Sequence, residues 1–230
     1  MLKPDVRDPK INIAEDVYQG SLMMRQILIG FDETQAKFLA GFASQNLKDK
    51  IVLDLGCGPG EKTRLFCNES QVVGIDITTR ITKDQKHKFT FLLTDATRLP
   101  FKEDYFDAVM SFDVVEHMAD DKKFVDEAFR VCKKNGYMIM GTPNLLRLSN
   151  RLRILLGQKI VFPCYIAADA IHFKEYTSEQ LISLATGAGF LGRCMFMWVG
   201  IFGKFDKGLE VFPTFLNPIA QHLFFIGRKP

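Results

Sequence analysis

Short apolar runs recur along the chain and alternate with segments whose apolar residues repeat at helical spacing. The runs occupy residues 51–53, 71–75, 89–93, 107–112 and 137–140. Runs of this length that end near glycine are typical of buried parallel strands. The clearest helical segment covers residues 121–134, where Phe124, Val125 and Ala128 share one face. The alternation predicts an α/β fold built on a doubly wound parallel sheet with right-handed crossovers.

The two ends of the chain depart from this alternation. Residues 1–48 carry apolar side chains at helical spacing and predict an N-terminal helical cap. Near the other end, residues 194–201 and 222–226 read as strands with no helical pattern between them, which indicates an antiparallel pair at the sheet edge. No linker of Pro, Gly or Ser divides the chain, so we expect residues 1–230 to form a single domain.

Residues 144–171 form an insertion that interrupts the regular pattern. An amphipathic helix is predicted over residues 145–156, ending at Gly157, and no regular pattern follows it. After this segment, Thr177 opens a capping box that predicts a further helix. Insertions that follow the carboxyl ends of parallel strands often shape a binding crevice. The insertion is therefore expected either to shape an acceptor site or to decorate the surface.

Composition narrows the classes of partner. The net charge of +3, from 30 basic and 27 acidic residues, shows no concentrated basic face of the kind that binds nucleic acid. Five cysteines are scattered without a CxxC pair, which argues against zinc and predicts no metal site. Scattered thiols fit a reducing cytoplasm. The longest apolar stretch, residues 194–202, is shorter than the ~20 residues of a transmembrane helix, although peripheral membrane contact and the oligomeric state remain open.

A glycine-rich loop follows the first strand. Gly56, Gly58 and Gly60 come directly after Asp54, and a helix is predicted from Glu61 onwards. Glycine lets a backbone approach a ligand closely and adopt positive φ. The next apolar run ends at Asp76, at the spacing of ~20 residues at which an acid meets a ribose diol in nucleotide-binding folds. The combination predicts an adenosine-type ligand.

The spacing of the glycines separates two kinds of nucleotide. A dinucleotide loop has the pattern G-x-G-x-x-G, whereas this chain has G-x-G-x-G with Pro59 inside it. The carboxylate of Asp54 would repel a pyrophosphate but would suit the ammonium of an amino acid. The predicted ligand is therefore adenosine attached to an amino acid rather than to phosphates.

These residues resemble a known family. The segment Val52–Gly60, of sequence VLDLGCGPG, resembles motif I of the class I S-adenosylmethionine-dependent methyltransferases. Looser resemblances follow at residues 94–96, 106–109, 115–117, 141–144 and 172–177, so the likeness spans about residues 48–190. One departure is the sequence Lys-Lys-Asn-Gly at residues 133–136, where the family often has Leu-Lys-Pro-Gly.

The resemblance implies S-adenosylmethionine as cofactor, with S-adenosylhomocysteine as product, and assigns binding residues. Asp54, Gly56 and Gly58 would hold the methionine part, while Asp76 would bind the ribose hydroxyls. The backbone near Phe112 would lie at the sulfur end of the cofactor.

The adenine end and the sheet order also follow from the resemblance. Asp95 would accept from the adenine amino group, the amide of Ala96 would face the ring, and Ile77 would pack on it. The implied fold is a Rossmann-like sheet of seven strands in the order 3-2-1-4-5-7-6, with the last strand antiparallel.

Two histidines are candidates for a general base, which an acceptor hydroxyl requires because it must lose a proton. His117 follows the fourth strand, near the expected methyl group, and His172 ends the insertion. Each also has a local structural interpretation, as a helix-start residue and as a residue that fixes the following corner. Asp113 and Glu116 form either an acidic wall or a helix-start pair.

The sequence therefore predicts an enzyme that transfers a methyl group from S-adenosylmethionine to a small-molecule acceptor, with oxygen preferred because of the histidines. Residues 112–115 lack the Asn-Pro-Pro-Tyr-like motif expected of a methyltransferase for nucleic-acid amines. Two alternatives stay open: a methyltransferase acting on a protein or a glycan or lipid intermediate, and a noncatalytic regulator that binds S-adenosylmethionine.

Overall fold

A seven-stranded mixed sheet forms the centre of the molecule. The computed structural model describes residues 36–79, 88–160, 173–197 and 220–230. The strands are β1 (Lys50–Leu55), β2 (Ser70–Asp76), β3 (Thr90–Leu93), β4 (Phe106–Phe112), β5 (Cys132–Pro143), β6 (Leu191–Met197) and β7 (His222–Arg228). Their order is β3-β2-β1-β4-β5-β7-β6. The first five strands pair in parallel, and β7 runs antiparallel to both β5 and β6, which confirms the expected sheet.

Helices cover both faces of this sheet. Helix α1 includes residues 36–46, and it is followed along the chain by α2 (Asp121–Val131), α3 (Leu148–Leu155) and α4 (Ser178–Ala188). Phe124 of α2 and Leu181 of α4 pack into one buried cluster. Leu39 and Ala43 of α1 pack into a second cluster together with Phe224 of β7. None of the helices in the described part of the chain is long and apolar enough to cross a membrane.

The predicted helix after the glycine loop is wrong. Instead of a helix from Glu61, the chain forms a single 3₁₀ turn at Thr63–Leu65, held by the bond from the Phe66 N–H to the Thr63 carbonyl at 3.1 Å. Strand β2 begins at Ser70, so residues 61–69 must both bury Phe66 and return to the sheet. That short return leaves no room for an α-helix of ordinary length.

The end of α2 also differs from the prediction. The helix stops at Val131 rather than at residue 134, and residues 132–136 already belong to β5. Asn135 adopts a φ of +60°, and its N–H donates to the Lys229 carbonyl at 2.7 Å, while the Lys229 N–H donates to the Gly136 carbonyl at 3.0 Å. The end of β7 therefore provides backbone partners that turn this segment into strand.

The remaining predicted elements lie partly outside the described residues. The insertion helix begins at Leu148 rather than at residue 145, and Gly157 follows it with a φ of +67°. Strand β6 begins at Leu191, three residues before the expected start at residue 194. Residues 1–35, 161–172 and 198–201, which carry parts of the predicted cap, insertion and strand, are outside the described ranges. The single-domain organisation stays a prediction.

Candidate functional site

The carboxyl ends of β1, β2 and β4 meet at one edge of the sheet, where the glycine loop lies. Gly56, Gly58 and Gly60 have φ values of +73°, +52° and +88°. The N–H groups of Gly56 and Cys57 both donate to the Ile75 carbonyl, at 2.8 and 2.9 Å, which ties the loop to the end of β2. A Cβ at Gly58 would meet no atom within 4 Å. The loop therefore presents open backbone at Gly58, as a cradle for a ligand would.

Asp54 lies beneath this loop rather than on its surface. Its side chain is 2% exposed, and its Oδ2 accepts a hydrogen bond of 2.7 Å from the Thr63 hydroxyl. Burial raises the pKa of Asp54 to about 6, although the Thr63 bond and the nearby Lys62 act in the opposite direction. The carboxyl group thus braces the 3₁₀ turn from below, and its expected contact with a methionine ammonium stays a prediction.

Asp76 at the end of β2 joins two loops. Its Oδ2 accepts from the Gly58 N–H at 2.9 Å. Its Oδ1 accepts hydrogen bonds from both the N–H and the hydroxyl of Thr78, each of 2.8 Å. A carboxylate oxygen has two acceptor positions, so Oδ2 still has one for a ligand hydroxyl, whereas Oδ1 gains one only when the Thr78 hydroxyl turns away.

The neighbouring ends of β2 and β3 combine apolar side chains with a carboxylate. Ile77 is 71% exposed and Leu93 is 55% exposed, which is unusual for large apolar residues beside a sheet. Asp95 follows β3, and its Oδ1 accepts from the N–H and hydroxyl of Thr97 at 2.8 and 2.9 Å. These bonds hold the pKa of Asp95 below its usual range, while Ala96 beside it is buried. Apolar faces beside an ionised acceptor match the chemistry of an adenine ring and its amino group.

A charged group occupies the end of β4, directly after the buried Phe112. Asp113 has a φ of +57°, and its N–H donates to the Gly141 carbonyl at 2.9 Å. Its Oδ2 accepts from Lys62 Nζ at 2.5 Å, and its Oδ1 lies 3.6 Å from His222 Nδ1. Burial by itself would raise the pKa of Asp113, but the positive charges of Lys62 and His222 hold it below its usual range.

The pKa of Glu116, three residues after Asp113, shifts in the opposite direction. The side chain is fully buried, and its Oε2 accepts from the Thr142 hydroxyl at 2.9 Å. Its Oε1 has no hydrogen-bond partner among the described residues. Burial, and then the charge of Asp113, raise the pKa of Glu116 to about 8. At neutral pH Glu116 therefore keeps its proton, whereas Asp113 is ionised. His117, half-buried, lies beside Glu116 on a second 3₁₀ turn, Val115–His117.

Sequence reasoning missed Lys62, Thr142 and His222 as members of this group. His222 is the first residue of β7, and an antiparallel strand starts at the edge where its parallel neighbours end. The strand predicted over residues 222–226, combined with the implied strand order, therefore carried the signal that could have located it. His222 is buried, and this burial lowers its pKa to about 4. The other expected histidine, His172, lies outside the described residues. The described residues hold no group of three or more His, Cys, Asp or Glu that could bind a metal ion.

Comparison with known proteins identifies a methyltransferase domain within the chain. The model of a methyltransferase domain family matches residues 53–140, which run from β1 through most of β5 and contain the glycine loop, Asp76, Asp95 and Asp113. Residues 53–140 therefore match a methyltransferase domain, and the chain is similar to S-adenosylmethionine-dependent methyltransferases. S-adenosylmethionine is the cofactor of this family. The open backbone at Gly58 and the carboxylate of Asp76 beside it fit that molecule.

Individual relatives agree with this assignment. A probable S-adenosylmethionine-dependent methyltransferase of Mycobacterium tuberculosis is 27% identical over 148 residues, which cover 63% of this chain and 50% of that protein. The chloroplastic tocopherol O-methyltransferase of Arabidopsis thaliana is 33% identical over 116 residues, covering 45% of this chain and 33% of that protein. The chain spans about half the length of the first curated relatives it matches.

A solved structure shares the fold across nearly the whole chain. Magnesium protoporphyrin IX methyltransferase from Synechocystis PCC 6803, determined with bound S-adenosylhomocysteine, superposes with a TM-score of 0.64. The likeness covers 97% of this chain and 95% of that one at 17% identity. At such an identity the agreement concerns the fold.

Proposed function

We propose that this methyltransferase transfers the methyl group of S-adenosylmethionine to an oxygen atom of a small-molecule acceptor. One observation carries the proposal: an ionised Asp113, a neutral Glu116 and a half-buried His117 lie together at the sheet edge that holds the glycine loop. Neighbouring groups whose pKa values are driven apart are characteristic of acid–base sites. An acceptor hydroxyl requires such a site because it must lose its proton.

The cofactor-binding part of the proposal follows the geometry of the loop. Gly56 and Gly58 would present backbone to the methionine part, above the buried Asp54, and Phe112 would close the sulfur end. The free acceptor position on Asp76 Oδ2 supports a bond to a ribose hydroxyl. The remaining contacts would be made at the adenine ring by Ile77, Asp95 and Ala96. The bound cofactor supplies an activated methyl group on a sulfonium centre.

The chain's own residues would then align the acceptor and receive its proton. His117 would take the proton of the acceptor hydroxyl as that oxygen receives the methyl group, and the neutral thioether S-adenosylhomocysteine would leave. Positioning of this kind can lower a barrier by roughly 7–11 kcal/mol in favourable cases. The nearby carboxylate of Asp113 would stabilise the imidazolium that forms, because a positive charge on His117 favours the ionised form of Asp113.

The small-molecule acceptor rests on two supports. The tocopherol O-methyltransferase relative acts, as its name states, at the oxygen of a small molecule. The weak net charge of +3 gives no footprint for a nucleic acid. The insertion at residues 144–171, together with His172, would shape the acceptor side of the site.

The test begins with cofactor binding. Calorimetric titration should show that the chain binds S-adenosylmethionine and that Asp76→Ala weakens this binding strongly, while Asp126→Ala on the exposed face of α2 leaves it unchanged. Absence of binding by the folded protein would remove the basis of the proposal.

The acceptor is then sought by incubating the protein with methyl-labelled S-adenosylmethionine and a metabolite extract. We expect label in a small molecule, released by mild base only if the product is an ester, and a lower rate for His117→Ala at unchanged cofactor affinity. Label confined to proteins or to glycan or lipid intermediates would support the alternative acceptors. Binding without transfer to any fraction would identify a noncatalytic regulator.

A further inference from the structure

Helix α3, at the start of the insertion, presents its apolar side to solvent. Leu152, Leu155 and Leu156 are 48%, 81% and 70% exposed. With Leu148 they follow the spacing i, i+4, i+7 and i+8, which places all four on one face of a helix. The polar Asn150, on the opposite face, is only 1% exposed. This is the reverse of the usual arrangement, in which a surface helix turns its apolar face inwards.

Buried polar contacts fix the helix in this orientation. Asn150 Nδ2 donates to the Leu145 carbonyl at 2.9 Å and to Glu175 Oε2 at 3.2 Å. Arg147 forms an ion pair with the same Glu175 carboxylate, whose side chain is fully buried. Asn144 Nδ2 donates to the Ala220 carbonyl at 2.8 Å, which anchors the start of the segment to the chain just before β7. The leucines therefore point outwards because the polar face is held by the body of the protein.

Basic residues lie on both sides of the leucine face. Residues 145–168 contain four basic residues and no Asp or Glu. Arg147 is used in the buried ion pair, whereas Arg151, Arg153 and Lys159 are exposed. On a helical projection of about 100° per residue, Arg151 lies about 40° beyond Leu155 and Arg153 about 60° beyond Leu156, on opposite sides of the leucine face. An apolar face bordered by long basic side chains is the pattern of a helix that lies in the interface of an anionic membrane.

A further exposed apolar residue relates this surface to the methyl-transfer end of the site. Phe173 is 59% exposed, and its N–H donates to the Glu116 carbonyl at 2.9 Å. Two residues further along, Glu175 binds both Arg147 and Asn150. The short segment that carries the exposed Phe173 thus contacts both the Glu116 backbone and the start of α3.

We propose that Leu152, Leu155 and Leu156 of α3 dock onto an anionic lipid surface, with Arg151 and Arg153 contacting the headgroups. The charges favour an anionic lipid surface as the partner. A zwitterionic membrane, or an apolar groove of a protein without acidic residues, would provide no negative charge opposite Arg151 and Arg153. The inference concerns binding alone and is independent of the acceptor proposed above. A basic residue near an anionic membrane changes affinity about fivefold.

Co-sedimentation of the full chain with vesicles tests this surface. We expect binding to vesicles of phosphatidylcholine mixed with phosphatidylglycerol, weak binding to phosphatidylcholine alone, and a loss of binding as salt is raised. The double variant Leu152→Ser/Leu155→Ser should lower the affinity at least about tenfold, because each buried methylene adds to interfacial affinity. Arg153→Gln should lower it about fivefold.

A matched control separates docking from general stickiness. Leu191 on β6 is 65% exposed, so Leu191→Ser removes a comparable apolar side chain elsewhere. This variant should bind vesicles as the parent does, and all variants should keep the parental unfolding midpoint. Equal vesicle binding by the double variant and the parent would overturn the proposal. The proposal would also be overturned if the parent protein did not bind anionic vesicles and instead used the same leucines to dimerise or to bind another protein.

Discussion

Gly56 and Gly58 stand two residues apart in one loop, yet their surroundings constrain them differently. Both have positive φ, so any replacement by alanine carries a strain of about 1–2 kcal/mol. A Cβ at Gly56 would also lie 2.4 Å from Val114 Cγ2, whereas at Gly58 it would meet nothing within 4 Å. Gly56 is thus needed for packing, whereas a side chain at Gly58 would enter the open space that we propose for the cofactor.

We therefore expect the two alanine variants to fail in different assays. Gly56→Ala should lower the free energy of unfolding by about 2–4 kcal/mol, because strain and overpacking add. Gly58→Ala should lose only about 1 kcal/mol but should bind S-adenosylmethionine much more weakly. Urea unfolding and calorimetric titration measure the two effects. A Gly58→Ala protein with parental cofactor affinity would contradict the assignment of this loop position.

The buried Glu116 makes a prediction about pH. Its pKa is raised from 4.5 to about 8, so in the intervening range the folded state holds a proton that the unfolded state has released. Stability contributed by this group is therefore lost as pH rises through that range. Glu116→Gln, which keeps an acceptor for the Thr142 hydroxyl, should remove this loss and be more stable than the parent near pH 8.

The comparison is made by urea unfolding of both proteins from about pH 5 to about pH 8. The difference between variant and parent isolates Glu116, since the pKa of Asp113 is lowered from 3.8 and its stability contribution is lost only below this pH range. Parallel pH profiles for the two proteins would show that Glu116 titrates normally.

At the residue level the sequence located acids better than their partners. Asp76 and Asp95 could be placed at strand ends from the lengths of the apolar runs alone. Lys62 and His222 could not be placed from these runs. Both are distant from Asp113 in sequence, and only the order of the strands brings them together. Burial was likewise invisible: nothing in the local sequence distinguishes the covered Asp54 from the open Asp95.

Single elements contribute their own stability, and α4 offers the cleanest case. The Thr177 hydroxyl accepts from the Gln180 N–H at 3.3 Å, and the Gln180 side chain accepts from the Thr177 N–H at 3.0 Å. This reciprocal pair confirms the capping box predicted from sequence. Such a cap satisfies two N–H groups that the helix itself leaves without partners.

Thr177→Ala should consequently lower the free energy of unfolding by about 1 kcal/mol. Ser178→Ala, at the first helical position, is the control and should change the free energy of unfolding little, since the Ser178 hydroxyl donates to the exposed Glu179. Both values come from urea unfolding at one pH. Equal losses in the two variants would mean that the cap does not act through the Thr177 hydroxyl.

Element identity was more predictable than element ends. Apolar runs gave the sheet strands because burial on two faces leaves a continuous apolar signal. The missing helix after Glu61 and the early end of α2 have the same cause. In both places, contacts with distant parts of the chain override the local helical pattern. Phe66 must be buried before the chain reaches β2, and Lys229 supplies backbone bonds to residues 135 and 136.

For the whole molecule, local patterns predicted a doubly wound sheet but could not order its strands. The order 3-2-1-4-5-7-6 came from the resemblance to a family, and the position of β7 between β5 and β6 has no local signature. Helical coverage of both faces follows more directly, since α1 and α2 contribute apolar faces to opposite clusters. The charge pattern of the insertion was visible in the sequence, but its outward-facing leucines depend on the buried Asn150.

The position of β7 between β5 and β6 has a consequence for folding during synthesis. Residues 191–197 leave the ribosome before residues 222–228, yet β6 pairs with β7 and, within the described part of the chain, with no other strand. A nascent chain that has reached β6 therefore carries an open edge on β5 and an unmatched strand, both prone to intermolecular pairing. Synthesis of β7 inserts the missing strand between them, so this side of the sheet is completed only after residues 222–228 have been made.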